Sequence, residues 1–167
     1  MTNIRRYWQP GRLCFLTHVT LDRAPILVTH SDLLLNAIHM HRSLTPFDVI
    51  AWVILPDHLH LLVDPNDNDV SRLIRRIKLS FSTRLRGRLD LKDGRVWQYR
   101  FWDRMMRNQD DVNRHIEYIH YNPVKHGYVS DPFMWPQSSL AEHYAKGLYQ
   151  RDWGILAPVE IEGEFGE

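Results

Sequence analysis

Hydrophobic and polar positions along the chain change period several times, and each change marks an element. Leu13 to Leu21 (LCFLTHVTL) is rich in β-forming residues and predicts a strand. Pro25 breaks the chain. Ser31 and Asp32 then offer caps for a helix to about Leu44, with Leu34, Leu35, Ile38 and His39 at helical spacing and Pro46 as its stop. Phe47 to Leu55 (FDVIAWVIL) is apolar on both faces, which predicts a central strand. Pro56-Asp57 signals a turn, and His58 to Val63 returns as the hairpin partner. Val70 to Leu89 predicts a long amphipathic helix, with Val70, Leu73, Ile74, Ile77, Phe81 and Leu85 on one stripe. Val96 to Met106 (VWQYRFWDRMM) reads as a further strand. Asp110 or Asp111 caps a helix to about Tyr121, which Pro123 and Gly127 close. The order β-α-β-β-α-β-α predicts an α+β class, ferredoxin-like (split βαβ). Its antiparallel sheet would carry helices on one face and leave the other free for a ligand.

Composition narrows the setting. The chain has 167 residues, 44% of them apolar, which suits one domain with its own core. We assign that domain to residues 1–149 and an acidic tail to 150–167. A lone cysteine, Cys14, excludes an internal disulfide and fits a reducing compartment. No apolar run approaches the ~20 residues that span a bilayer, and MTNIRRYWQP lacks a signal-peptide core, so a soluble cytoplasmic protein with no membrane partner is expected. The net charge of +1 conceals a segregation: residues 72–107 hold twelve Lys or Arg against three acids, whereas 152–167 hold five acids and no Lys or Arg. A concentrated basic segment fits an anionic polymer, and it equally fits a solvated helix face.

The candidate chemistry begins in PDHLHLLV, residues 56–63. On a strand His58, His60 and Leu62 share one face, while Leu59, Leu61 and Val63 share the helix-packed one. Two imidazoles on the more open face suit a metal ion, but a full site needs more ligands. HIEYIHYNPVKHG, residues 115–127, offers Asn122, four residues after Tyr118 and on the same helical face. His58, His60 and the Asn122 amide oxygen would suit Mg²⁺ or Mn²⁺, and ligand softness alone does not exclude Zn²⁺. Tyr118 would then lie one turn from the ion, where a phenol becomes a usable nucleophile toward a phosphodiester. By position alone Tyr118 reads at least as well as an aromatic at the edge of the Val112, Ile116 and Ile119 stripe. Tyr121 is the rival nucleophile, about 60° further around the helix.

These stretches together resemble the REP-associated tyrosine transposases, a branch of the single-tyrosine HUH transposases. The resemblance rests on His58-Leu59-His60, IRRIKLSFSTRL, the block VWQYRFWDRMMRNQDDVNRHIEYIHYNPVKHG and WPQSS, and runs from the first strand to Ser139. It implies an HUH-nuclease fold and cleavage of single-stranded DNA hairpins, the REP palindromes, through a 5′-phosphotyrosine. It carries His58 and His60 onto the metal-binding pair, Tyr118 onto the nucleophile and Asn122 onto the third ligand. Gln137 departs from the second aromatic common after Trp-Pro, with an expected effect on packing and not on chemistry.

DNA contacts are expected from Arg75, Arg76, Lys78, Arg84, Arg86, Arg88, Arg95, Arg100 and Arg104, and the interleaved Trp97, Tyr99, Phe101 and Trp102 either stack on bases or pack in the core. The tail acids Glu160, Glu162, Glu164 and Glu167 either fold back on the basic groove or stay solvated. A monomer is the expected state, with the question left open whether Tyr118 serves its own histidines or a neighbour's. Two rivals stand beside this. One is hydrolytic: a metal-dependent phosphodiesterase, or a 2H phosphoesterase that would use His18-Val19-Thr20 and His41-Arg42-Ser43. An RRM-like RNA-binding module would explain the basic and aromatic residues without the histidine pair.

Overall fold

Residues 12–161, 163, 165 and 166 are described by a computed structural model of the chain. The elements are β1 (Cys14–Val19), α1 (Ser31–Leu44), β2 (Asp48–Ile54), β3 (His58–Asp64), α2 (Val70–Arg88), β4 (Trp102–Met105), α3 (Gln109–Lys125) and α4 (Leu140–Ala145). The four strands form one antiparallel sheet in the order β2-β3-β1-β4, the split βαβ arrangement. The hairpin turn falls where Pro56-Asp57 predicts it, closed by Leu55 N–H donating to the His58 carbonyl.

Three expectations are corrected. Helices cover both faces of the sheet. The apolar stripes of α1 and α2 pack on Leu16, Leu59, Leu61 and Val63, and α3 packs on the opposite face over Phe15, Leu62, Val53 and Ala51. The ligand face expected to be free is therefore roofed by α3. Secondly, β2 is an edge strand. Its apolar character on both sides arises because helices cover both faces and the segment 135–139 covers the edge. Ile54 N–H donates to the Gln137 carbonyl, Ser139 N–H to the Trp52 carbonyl, and the Trp135 indole N–H to the Ile54 carbonyl. Gln137 serves this ladder through its backbone. Thirdly, the strand expected over Val96–Met106 shrinks to β4. Trp97 turns into the core beside Phe81, held by a single bridge to Thr20, and Tyr99 points to solvent at 88% exposure.

Helix α3 begins where Asn108 accepts from the Asp111 N–H, two to three residues earlier than the Asp110 or Asp111 cap expected from sequence. It also runs past Tyr121 and tolerates Pro123 in its last turn. Gly127 ends it. Its N–H donates to the Val124 carbonyl and the Tyr128 N–H to the Pro123 carbonyl, with Gly127 at φ +73°, the geometry of a Schellman cap.

Candidate active site

Strand alternation puts His58 and His60 on the face toward α3, and both are buried there. Their ring centroids lie 5.0 Å apart at 82°. Each ring is held through Nδ1. His58 Nδ1 lies 2.7 Å from an Asp57 carboxylate oxygen, and Arg23 donates to the other oxygen at 3.0 Å. Burial alone would raise the Asp57 acid, but the hydrogen bonds from His58 and Arg23 outweigh it and hold its carboxyl below the usual range. Asp57 is thus a carboxylate accepting the His58 Nδ1–H, which turns Nε2 toward the roof. His60 Nδ1 lies 2.9 Å from the Thr17 hydroxyl, and that hydroxyl donates its one proton to the Phe165 carbonyl at 2.7 Å. Thr17 must then accept from His60 Nδ1–H. In both rings Nε2 is the nitrogen directed away from the orienting partner, the placement a metal-binding imidazole uses.

The roof supplies the remaining groups. Tyr118, Asn122 and His126 recur every four residues and stack along one side of α3. The Tyr118 ring sits 5.3 Å from the His60 ring and the His126 ring 5.1 Å from His58. Asn122, fully buried, is therefore bracketed opposite the pair. Among the described residues no third His, Cys, Asp or Glu joins the two histidines in a metal-binding group, and the Asn122 amide oxygen is a donor of a type that goes with two imidazoles. Tyr118 and the histidines belong to the same chain.

Two groups near Tyr118 were not foreseen. Lys125 donates to the Tyr118 hydroxyl at 3.1 Å, with its ammonium 4.7 Å from the ring centroid. The only signal in the sequence is its spacing of seven residues, two helical turns. The tail also reaches the site: the Phe165 ring stacks on Tyr118 at 3.6 Å and 6°. Beside them a cavity of about 360 Å³ is lined by Tyr118, Tyr121, Lys125, Val159, Ile161, Gly163 and Phe165. The tail therefore meets the tyrosine, where a fold-back onto the basic helix was one expectation. Glu162, Glu164 and Glu167 lie outside the described residues, and Glu160 is exposed. Tyr121 lines the same cavity, but its ring packs against Trp153.

The basic residues are not gathered at this site. Arg75, Arg76 and Arg84 are exposed on α2, in the layer across the sheet from the histidines, and Arg95 and Arg100 are exposed between α2 and β4. Arg86 donates to the Gly94 carbonyl, and Arg88 makes a two-pronged pair with Asp32 at 2.8 and 2.6 Å. Lys78 lies over Trp97 at 5.3 Å, where burial lowers its pKa. Arg104 faces the buried Asp111 carboxylate, as do Arg107 and Arg114. Of the aromatics, Trp97 is core, Phe101 and Trp102 are half-buried, and Tyr99 is open to solvent.

The rivals fare differently. His18 packs between Trp97 and Phe101 on the α2 side, and His41 pairs with Ser80, so the two 2H motifs are engaged separately. The open sheet of an RRM-like module is covered by α3.

Comparison with known proteins gives a consistent picture. Residues 16–122 match the family described as "Transposase IS200 like". A "Putative REP-associated tyrosine transposase" of Haemophilus influenzae is 35% identical over 175 residues, covering 98% of this chain and 99% of the relative. The "REP-associated tyrosine transposase" of Escherichia coli is 38% identical over 156 residues, covering 92% and 91%. A solved structure of a REP-associated tyrosine transposase bound to a REP hairpin superposes with a TM-score of 0.81 at 36% identity, covering 100% of this chain and 98% of that one. A crystal structure described as that of "a putative transposase" from Deinococcus radiodurans, at 19% identity and a TM-score of 0.50 over 72% of this chain, shares the fold.

Proposed function

The chain belongs to the IS200-like transposases and, within them, to the REP-associated tyrosine transposases, and from that premise we propose that it cleaves and rejoins single-stranded DNA beside REP-type hairpins through a tyrosine-linked intermediate. The observation that carries this reading is the meeting of Tyr118 with His60 inside one chain, with Lys125 on the phenol oxygen. His58 and His60 through Nε2, with the Asn122 amide oxygen, would hold Mg²⁺ or Mn²⁺. Such an ion, when bound, withdraws charge from the phosphate oxygens.

The chain's own residues do the rest. Lys125 stabilises negative charge on the Tyr118 oxygen as the phenol gives up its proton to water, and that oxygen forms the bond to phosphorus while the bond from phosphorus to the 3′ oxygen breaks, the released proton balancing the one the leaving oxygen takes. The leaving oxygen takes a proton and departs as a 3′-hydroxyl, and the 5′-phosphate stays on Tyr118. The ester energy is conserved, so attack by another 3′-hydroxyl reverses the step and joins strands without a nucleotide cofactor. Phe165 occupies the face of Tyr118 and must leave before a strand can approach.

The test is a denaturing gel of a REP hairpin with single-stranded flanks, labelled at its 3′ end, incubated with protein and Mn²⁺. Label migrating with the wild-type protein, lost in Tyr118→Phe, in His58→Ala and in EDTA, is expected. Free labelled fragments would replace this mechanism with hydrolysis, and adduct persisting in Tyr118→Phe would move the nucleophile to Tyr121.

A further inference from the structure

A row of aromatic rings runs outward from His58 over the surface. The His126 ring lies 5.1 Å from His58, Tyr128 follows at 6.0 Å and 29°, and Trp135 follows at 5.4 Å and 28° from Tyr128. The backbone builds this row deliberately. Nothing lies within 4 Å of the place a Cβ would take at Gly127, so the glycine answers to its φ of +73° and not to crowding. The reversal it permits puts the rings on either side of it, His126 and Tyr128, next to one another. Trp135 is pinned by its indole N–H on the Ile54 carbonyl. His126 is exposed, Tyr128 is 45% exposed and Trp135 is half-buried, so the row reaches solvent at its His126 and Tyr128 rings.

We propose that His126, Tyr128 and Trp135 form a stacking platform for unpaired bases of the DNA strand as it enters or leaves the histidine pair. The inference rests on the DNA reading above and adds the path of the strand. Aromatic faces accept any base, because each base has a π face of its own. The row begins in contact with His58, so a strand whose phosphate lies at the histidines passes over it. Arg23, ion-paired with Asp57 at 3.0 Å, stands at the His58 end of the row. Burial and the Asp57 carboxylate push the Tyr128 phenol up, with Arg23 pulling the other way, so the ring is neutral and does not repel a phosphate. A second copy of the chain is the weaker occupant, since a stable dimer needs about 1,200 Å² or more of buried surface and three rings supply a small share of it.

The experiment is a binding cycle on the full chain with three probes: a REP hairpin without flanks, the same hairpin with six unpaired nucleotides on either end, and that flanked hairpin with abasic flanks. For wild type, removing the flank bases is expected to weaken binding about ten- to a hundredfold. Tyr128→Leu, which keeps bulk without a π face, should lose most of that difference while binding the unflanked hairpin as wild type does, and Tyr128→Trp should restore it. An equal abasic penalty in wild type and Tyr128→Leu would overturn the platform and leave the transesterase reading standing. Loss of dimer in Tyr128→Leu on sedimentation, with the penalty unchanged, would overturn it in favour of a subunit interface. Wild type that binds none of the probes would overturn both.

Discussion

The two faces of one sheet make different uses of the same strands. Along β3, Leu59 and Leu61 point into the layer of α1 and α2, where Leu16, Leu34, Ile74, Ile77 and Phe81 close around them. His58 and His60, their immediate neighbours, point under α3 among Thr17, Asn122 and Tyr118. The first face is a close-packed apolar interior. The second buries polar groups, each of which costs free energy unless it is hydrogen-bonded. The contrast shows how the fold can hold a buried polar cluster: the apolar side stabilises the strand whose other side carries the candidate site. Even the exception fits, since His18 on the apolar side has no hydrogen bond on either ring nitrogen among the described residues, and burial drives its pKa well below the usual value and keeps it neutral.

This division can be broken from either side. Tyr118→Phe removes one oxygen from the polar face and should abolish adduct formation, with hairpin affinity unchanged. Phe81→Ala, in the apolar layer, should cost roughly 3–5 kcal/mol in urea unfolding, while adduct formation per folded molecule stays near wild type. A chemical defect in folded Phe81→Ala would mean that the layers are not separable. Asp57→Asn should weaken Mn²⁺ binding about ten- to a hundredfold by loosening His58, as read by calorimetry. Phe165→Ala should speed adduct formation several-fold by uncovering Tyr118, and an unchanged rate would show that the tail does not compete with substrate. Smallest of all, Tyr99→Ala should lower hairpin affinity about fivefold, by the loss of one stacking contact, with stability unaffected.

Much of this was legible before any coordinates, because period is a local property. The helices at 31–44 and 70–88, the Pro56-Asp57 turn and the face shared by His58 and His60 all follow from spacing. Tyr118 and Asn122 were paired by the same rule. What escaped depends on contacts distant in the chain. An edge strand capped by residues 135–139 looks central, since burial by a segment some eighty residues away leaves no mark on β2 itself. Trp97 alternates like a strand residue, yet its indole is claimed by the core next to Phe81. Pro123 reads as a stop in a helix that runs to Lys125, four residues further than expected, and ends at the Gly127 cap. Asp57 and Thr17 escaped because their value lies in orienting imidazoles, and the approach of Phe165 to Tyr118 spans 47 residues.

The location of the tyrosine and both imidazoles on a single polypeptide has a stoichiometric consequence. On the proposed chemistry, each molecule would bring one attacking group beside its own pair of imidazoles. Once joined to a strand end, it could not open a second phosphodiester until the first had been handed on. Lifting a segment out of a longer strand would then call for two molecules working in concert, or for one that finishes each exchange before it begins the next.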